Sequence, residues 1–310
     1  MTGSAQPVSA SGPRRARLEA VSLTYRYPNS DTDALSGCSL AVPAGQRVAL
    51  LGANGSGKTT LLLLLNGSFR PAAGEVRLDG APTSYDRAGL RRWRRAVGLV
   101  VQDPDDMLLA GTVRQELAFG VLNLGRSEDD ARVDVDRILV ALSLDHLRDR
   151  PTHLLSAGER HRVAIAAMAI TEPAVLLLDE PTAGLDPAGV EEVLAVLDRL
   201  HAAGTTIVVS THDVDLAHRW ADVVAVMVAG SVAACGSREV LHDQELIESA
   251  RLRPPSAFTI WQSLPGDLRP ATCPPDVATL AVHLRSASPV GGVPVGEVPV
   301  GEVSVGEVSR

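Results

Sequence analysis

The stretch Gly52-Ala53-Asn54-Gly55-Ser56-Gly57-Lys58-Thr59 holds the only lysine of this 310-residue chain; the other 28 of its 29 Lys and Arg residues are arginine. It fits the spacing G-x-x-x-x-G-K-[ST] of a loop that closes around phosphate groups. Glycines let the backbone curl so that N–H groups face inward, and the start of the following helix adds partial positive charge. Lys58 then brings a compact ammonium to the β- and γ-phosphates of a nucleotide. An arginine fork is bulkier and prefers paired acceptors, so a chain that is otherwise arginine-only keeps lysine at this point. Thr59 offers its hydroxyl to Mg²⁺, and Thr60 completes the set expected to hold nucleotide.

Two more stretches add chemistry to the loop. AVLLLDEPTAGLDP (174–187) ends an apolar run in two carboxylates. Asp179 is placed to hold Mg²⁺, directly or through water, and Glu180 points elsewhere and can polarise an attacking water as general base. STHD (210–213) sets His212 after another apolar run, within reach of a γ-phosphate. HLLSAGERHRVAIA (153–166) places Ser156 and Gly158 at the start of a helix, a second anion site.

These groups need a scaffold, and its pattern is visible. Residues 47–52, 174–180, 205–211 and 223–230 read as short buried strands, and 58–66, 127–143, 157–170, 187–203 and 213–219 as helices. Such alternation predicts a parallel sheet flanked by helices, an α/β fold. Residues 104–171 show helical patterns and no strand, which suggests an inserted helical subdomain. The domain is expected over 18–253. Residues 1–17 read as a disordered N-terminal tail. Residues 254–310, rich in Pro, Gly and Val and closing on a five-residue repeat, read as a C-terminal tail that is largely disordered beyond one or two short helices.

Composition narrows the partners. A net charge of −8 with 3% aromatic residues argues against nucleic acid as the main partner. The RRWRR run (91–95) reads as a solvated helix face, and no apolar run reaches the ~18–20 residues needed to span a bilayer. Three well-separated cysteines suggest reduced residues of a cytosolic protein. The eight histidines show no partners at ligand spacing, so Mg²⁺ with ATP is the only metal expected.

The order phosphate loop, LS-x-G-E, carboxylate pair, GLDP and STHD resembles the ATP-binding-cassette (ABC) ATPases, over about 18–253. The resemblance implies an ABC-type P-loop ATPase fold: a RecA-like parallel sheet core, an antiparallel β subdomain and the inserted helical subdomain. It also implies ATP and Mg²⁺ as cofactors and head-to-tail pairing with a second ATPase subunit, the same chain or a close paralogue. Ser156, Ala157, Gly158 and Glu159 would then act on the ATP held by the partner. Carried over by motif, Tyr27 rather than Tyr25 would stack on adenine, Gln102 would link the Mg²⁺ site to the coupling interface, and Asp186 would sit in the D-loop. The family signature usually reads LSGGQ; here Ala157 adds a methyl group and Glu159 replaces glutamine. The stretch from Gln102 to the signature, and RLRPP at 251–255, are similar to the energy-coupling-factor branch, nearest its cobalt or nickel importers. That branch implies a peripheral subunit on the cytoplasmic face of the cell membrane. It would drive a transmembrane coupling protein and a substrate-specific membrane subunit. Vitamin importers of the same branch and other ABC transporters are the alternatives on cargo, and a soluble non-transport ABC ATPase is the rival class.

Overall fold

A computed structural model describes residues 16–287; residues 1–15 and 288–310, which carry most of the expected N-terminal tail and the C-terminal repeat, lie outside the described residues. Two sheets make the body. The first is antiparallel, in the order β2 (Leu35–Pro43), β1 (Ala16–Tyr25), β4 (Ala73–Leu78), β5 (Ala81–Pro82). The second runs β10 (Ser231–Gly236), β9 (Val223–Val228), β3 (Arg47–Leu51), β8 (Thr206–Thr211), β7 (Val175–Asp179), β6 (Val97–Val100). It is parallel except for the β9–β10 hairpin at one edge.

The central strands of the parallel sheet have no solvated face. Every residue of β7 and β8 is buried, which is why they read as unbroken apolar runs rather than as alternating ones. One core lies between the two sheets, with Leu61, Leu62, Leu64 and Leu65 of α1 (Lys58–Leu65) filling it beside Val48, Leu50 and Leu177. Another joins the far face of the sheet to α3 (Val113–Asn123), α4 (Glu128–Ala141), α5 (Ala157–Ala169) and α6 (Pro187–Ala202). Helices α3 to α5 are the helical insertion, falling between β6 and β7. Among the described residues no helix is long and apolar enough to cross a membrane.

The RRWRR run lies in α2 (Arg87–Ala96), and its centre departs from the expected solvated face. Trp93 is 2% exposed, donates from Nε1 to the Leu65 carbonyl at 2.9 Å and meets Tyr85 edge-on. The arginines wrap a core residue. Trp93→Ala is expected to destabilise the domain by about 3–5 kcal/mol, the usual cost of truncating a buried aromatic, read as a lower midpoint in urea unfolding.

The C-terminal residues depart further from the expected tail. After α7 (Val214–Trp220) and α8 (Gln244–Ser249), residues 254–287 are not a loose tail but carry α9 (Ser256–Ser263) and α10 (Val277–Ala287). Ala257, Phe258, Cys273 and Leu280 are buried. Asp215 on α7 accepts 2.7 Å hydrogen bonds from the Ser256 amide and hydroxyl, Phe258 stacks on His242 at 3.9 Å, and Arg269 lies over Trp261. Each of these partners is distant in sequence or typical of a loop, so local composition masked a packed unit.

Candidate active site

Strands β3, β8 and β7 lie side by side, and each ends in a chemical group. In open parallel sheets ligands sit beyond the carboxyl ends of the strands, and all three groups emerge there. Strand β3 runs into the loop 52–57, β7 into Asp179 and Glu180, and β8 into Thr211 and His212.

The loop is shaped for close approach. A Cβ at Gly52 would come within 2.5 Å of Ser56 Oγ and 2.8 Å of the Met227 carbonyl, and Gly57 sits at φ 104° with Ala34 and Leu35 packed against it. Gly57 caps α1 without a side chain, so the first-turn N–H groups of that helix have no capping acceptor, the arrangement that receives an anion. Ser56 Oγ is buried without a hydrogen-bond partner. Lys58 is 6% exposed; its Nζ donates to the Gly52 carbonyl at 2.8 Å and lies 3.4 Å from both the Ala53 carbonyl and Glu180 Oε1.

Asp179 and Glu180 have different partners although they are neighbours. Asp179 Oδ2 accepts from the Thr59 hydroxyl at 2.6 Å, and Oδ1 accepts from the Ser210 hydroxyl. The Ser210 bond follows from the parallel register, which sets Asp179 opposite Ser210. Glu180 then takes φ 46°, a left-handed backbone that costs a non-glycine residue about 1 kcal/mol or more. Its amide donates to the Ser210 carbonyl at 3.1 Å and hydroxyl at 3.0 Å, which holds the turn. The turn sends the Glu180 side chain away from Asp179 toward Lys58 and His212. His212 Nδ1 donates to Glu180 Oε2 at 3.0 Å, while Oε1 has no hydrogen bond. The buried Glu180 carboxylate thus keeps Oε1 outside any hydrogen bond, facing Lys58 Nζ at 3.4 Å.

A cavity of about 440 Å³ is lined by Tyr27, Asn54, Gly55, Gly57, Lys58, Thr59, Thr60, Gln102, Glu180 and His212. Tyr27 is 38% exposed and its hydroxyl lies 3.1 Å from Thr60 Oγ1, whereas Tyr25 stacks on Phe69. Of the two tyrosines, Tyr27 has the available ring. Ala53, which lines the adjoining surface with Asn54, and Gly52 shape the loop's backbone. The donors fit a hard cation: the Thr59 hydroxyl, the Asp179 carboxylate and the Gln102 amide are the oxygen ligands Mg²⁺ takes, with thiol and imidazole absent from that set.

The signature residues lie elsewhere. Ser156 to Glu159 begin α5 in the helical insertion and are not among the residues lining that cavity. Ser156 caps the helix: its Oγ accepts from the Glu159 amide at 3.3 Å, and Glu159 Oε2 accepts from the Ser156 amide at 2.7 Å. The sequence signal for this capping box is S-x-x-E at 156–159. The box gives position 159 a structural role that either glutamate or glutamine can fill. Burial raises the Glu159 pKa, but the Ser156 hydrogen bonds and the Arg150 and Arg162 charges outweigh that and hold it below the usual carboxylate value. Glu159→Gln keeps both bonds of the box and is expected to change stability by less than about 0.5 kcal/mol. Glu159→Ala removes the return bond and is expected to cost about 1 kcal/mol in thermal or urea unfolding. Ala157 is an exposed helical residue, so its methyl group strains nothing within the chain. Asp186 caps α6, accepting from the Gly189 amide at 2.7 Å.

Comparison with known proteins agrees with this geometry. The ABC transporter family model matches residues 35–183. The chain is 54% identical over 239 residues to the cobalt import ATP-binding protein CbiO of Rhodobacter capsulatus, covering 77% of this chain and 85% of that one. It is 44% identical over 239 residues to the energy-coupling factor transporter ATP-binding protein EcfA of Methanocaldococcus jannaschii, with the same coverage of 77% and 85%. The solved structure of cbiO1 from Clostridium perfringens, part of the ABC transporter complex cbiONQ, superposes with a TM-score of 0.70 at 39% identity, over 80% of this chain and all of that one. The phosphate loop, carboxylate pair and signature helix thus stand in an ABC cassette fold, and the chain belongs to the ABC transporter family as an ATP-binding, ATP-hydrolysing subunit.

Proposed function

We propose that this chain energises the import of cobalt or nickel ions, as the ATPase of an energy-coupling-factor type transporter whose membrane-spanning parts are separate subunits. The observation that carries the proposal is the pairing of a complete hydrolytic constellation with 54% identity to a cobalt import ATP-binding protein. The chain works at the cytoplasmic face of the membrane, bound to a transmembrane coupling protein and a substrate-specific subunit.

In this reading the phosphate loop binds ATP, Tyr27 stacks on the adenine, and Thr59, Asp179 and Gln102 hold Mg²⁺, which neutralises charge on the phosphates. Glu180 takes the proton of the attacking water, with His212 orienting its carboxylate. Ser156, Gly158 and Glu159 are not among the residues lining the cavity over the chain's own phosphate loop, and of the signature only Ala157 borders a neighbouring cavity shared with Thr59 and Asp179, which supports a composite site. The signature of a second ATPase subunit, identical or paralogous, closes over the bound nucleotide in trans, with Asp186 in the loop between them.

The deciding experiment is uptake of labelled cobalt by cells carrying the wild-type chain or Glu180→Gln, with nickel as competitor. Cobalt uptake that depends on Glu180 supports the assignment, and nickel competition shows a shared route. Equal uptake in both strains removes cobalt as the cargo and turns attention to vitamin uptake, the alternative within the same branch.

A further inference from the structure

On the side of the domain where the C-terminal helices dock, three side chains from three segments converge. His218 lies on α7, His242 ends the short turn of helix at Arg238–His242, and Cys273 lies between α9 and α10. The His218 and His242 Nε2 atoms are 3.1 Å apart, and one nitrogen of each ring and the Cys273 sulfur all lie within 4.8 Å of one another. His218 is 1% exposed and Cys273 8%. We propose that these three residues form a binding site for a thiophilic divalent transition metal ion of the Zn²⁺, Co²⁺ or Ni²⁺ class, separate from the Mg²⁺ of the ATP site.

The geometry is close to what such an ion needs. Two nitrogens bonded at ~2.0 Å to one tetrahedral ion stand about 3.3 Å apart, near the observed separation, and the sulfur, already within 4.8 Å of the nitrogens, reaches its place by moving inward by at most about 1.3 Å. Cys273 sits in a connecting segment rather than in a helix or strand, so that movement breaks no ladder. The second shell is also in place. The Pro275 carbonyl lies 2.7 Å from His218 Nδ1 and accepts a hydrogen bond from its N–H, which keeps the ring proton on Nδ1 and leaves Nε2 with a lone pair aimed at the cluster. His242 is held flat against Phe258, with ring planes 2° apart.

The surrounding charges are mixed. Arg238 opposes a cation, and Glu239 and Asp215 offset it. Burial lowers the pKa of His218, and burial together with His218 lowers that of His242, so both rings are neutral ligands at neutral pH. Burial raises the Cys273 thiol, so binding must expel its proton: the metal–sulfur bond forms, one S–H bond breaks, and the proton passes to solvent. In the metal-free protein the His242 Nε2–H bridges to His218; on binding, the His242 proton moves to Nδ1. Two imidazoles and one thiolate favour borderline and soft ions over Mg²⁺ or Ca²⁺, and three protein ligands leave a fourth position for water. The ion would clamp 256–287 to α7, which begins two residues after His212. The ligands are 24 and 31 residues apart, which is why no motif spacing announced them.

The test uses the full chain without a histidine tag, titrated with Co²⁺ alone. The expected result is one equivalent giving intense tetrahedral visible bands and a thiolate-to-cobalt charge-transfer band, both displaced by Zn²⁺. Cys273→Ser should abolish the charge-transfer band and His242→Gln should weaken metal affinity at least tenfold. A mutation-free arm measures alkylation by peptide mass spectrometry, where Zn²⁺ should protect Cys273 and leave the exposed Cys235 reactive. Absence of the charge-transfer band, its persistence in Cys273→Ser, or equal alkylation of Cys273 with and without Zn²⁺ overturns the site. None of these readouts depends on the transporter's cargo.

Discussion

Glu180→Gln is expected to bind ATP with near wild-type affinity while turnover falls by about two to four orders of magnitude, the usual contribution of a positioned general base. The substitution is nearly isosteric. The amide oxygen still accepts from His212 Nδ1, which now stands 3.0 Å from Glu180 Oε2, and the backbone bonds to Ser210 are unaffected. What disappears is the capacity to accept a proton and the charge facing Lys58 at 3.4 Å. ATP binding by equilibrium fluorescence and single-turnover hydrolysis separate the two effects. A second consequence follows from the proposed composite site: the variant should accumulate as an ATP-dependent dimer in size-exclusion chromatography. Turnover at the wild-type rate would remove Glu180 from the role of base.

Lys58→Arg is expected to lose most nucleotide affinity despite keeping the charge. Lys58 is 6% exposed, and its ammonium is packed against the Gly52 and Ala53 carbonyls and Glu180. A guanidinium needs a planar space and paired acceptors that this curl of backbone does not offer, because the glycine positions admit no extra atom: a Cβ at Gly52 or Gly57 already meets neighbours below 3 Å. One or more charge-assisted hydrogen bonds at ~1.5–3 kcal/mol each correspond to about a ten- to hundredfold weakening. Calorimetric titration with ATP and Mg²⁺ measures it directly. The unfolding midpoint should move little. Equal affinity in the arginine variant would mean that the lysine's uniqueness in the chain has another cause.

The site was legible in the sequence wherever its chemistry is local. A phosphate loop is a run of backbone angles, a capping box spans four residues, and a buried strand announces itself by being apolar throughout; each signal lies within one window of the chain. The four strands and five helices named from pattern all appear within a residue or two of their expected bounds. The strands of the antiparallel sheet are not legible in their own residues, since a sheet with one wet face and several bulges shows only broken alternation. Tertiary structure alone decided the rest. It brought Ser210 against Asp179, turned Glu180 through a left-handed bend toward His212, buried Trp93 inside a run of arginines, packed 254–287 onto α7, and gathered His218, His242 and Cys273. Each depends on the register of strands or the docking of segments tens of residues apart, and the sequence carries local conformation far more openly than it carries the neighbours that folding brings together.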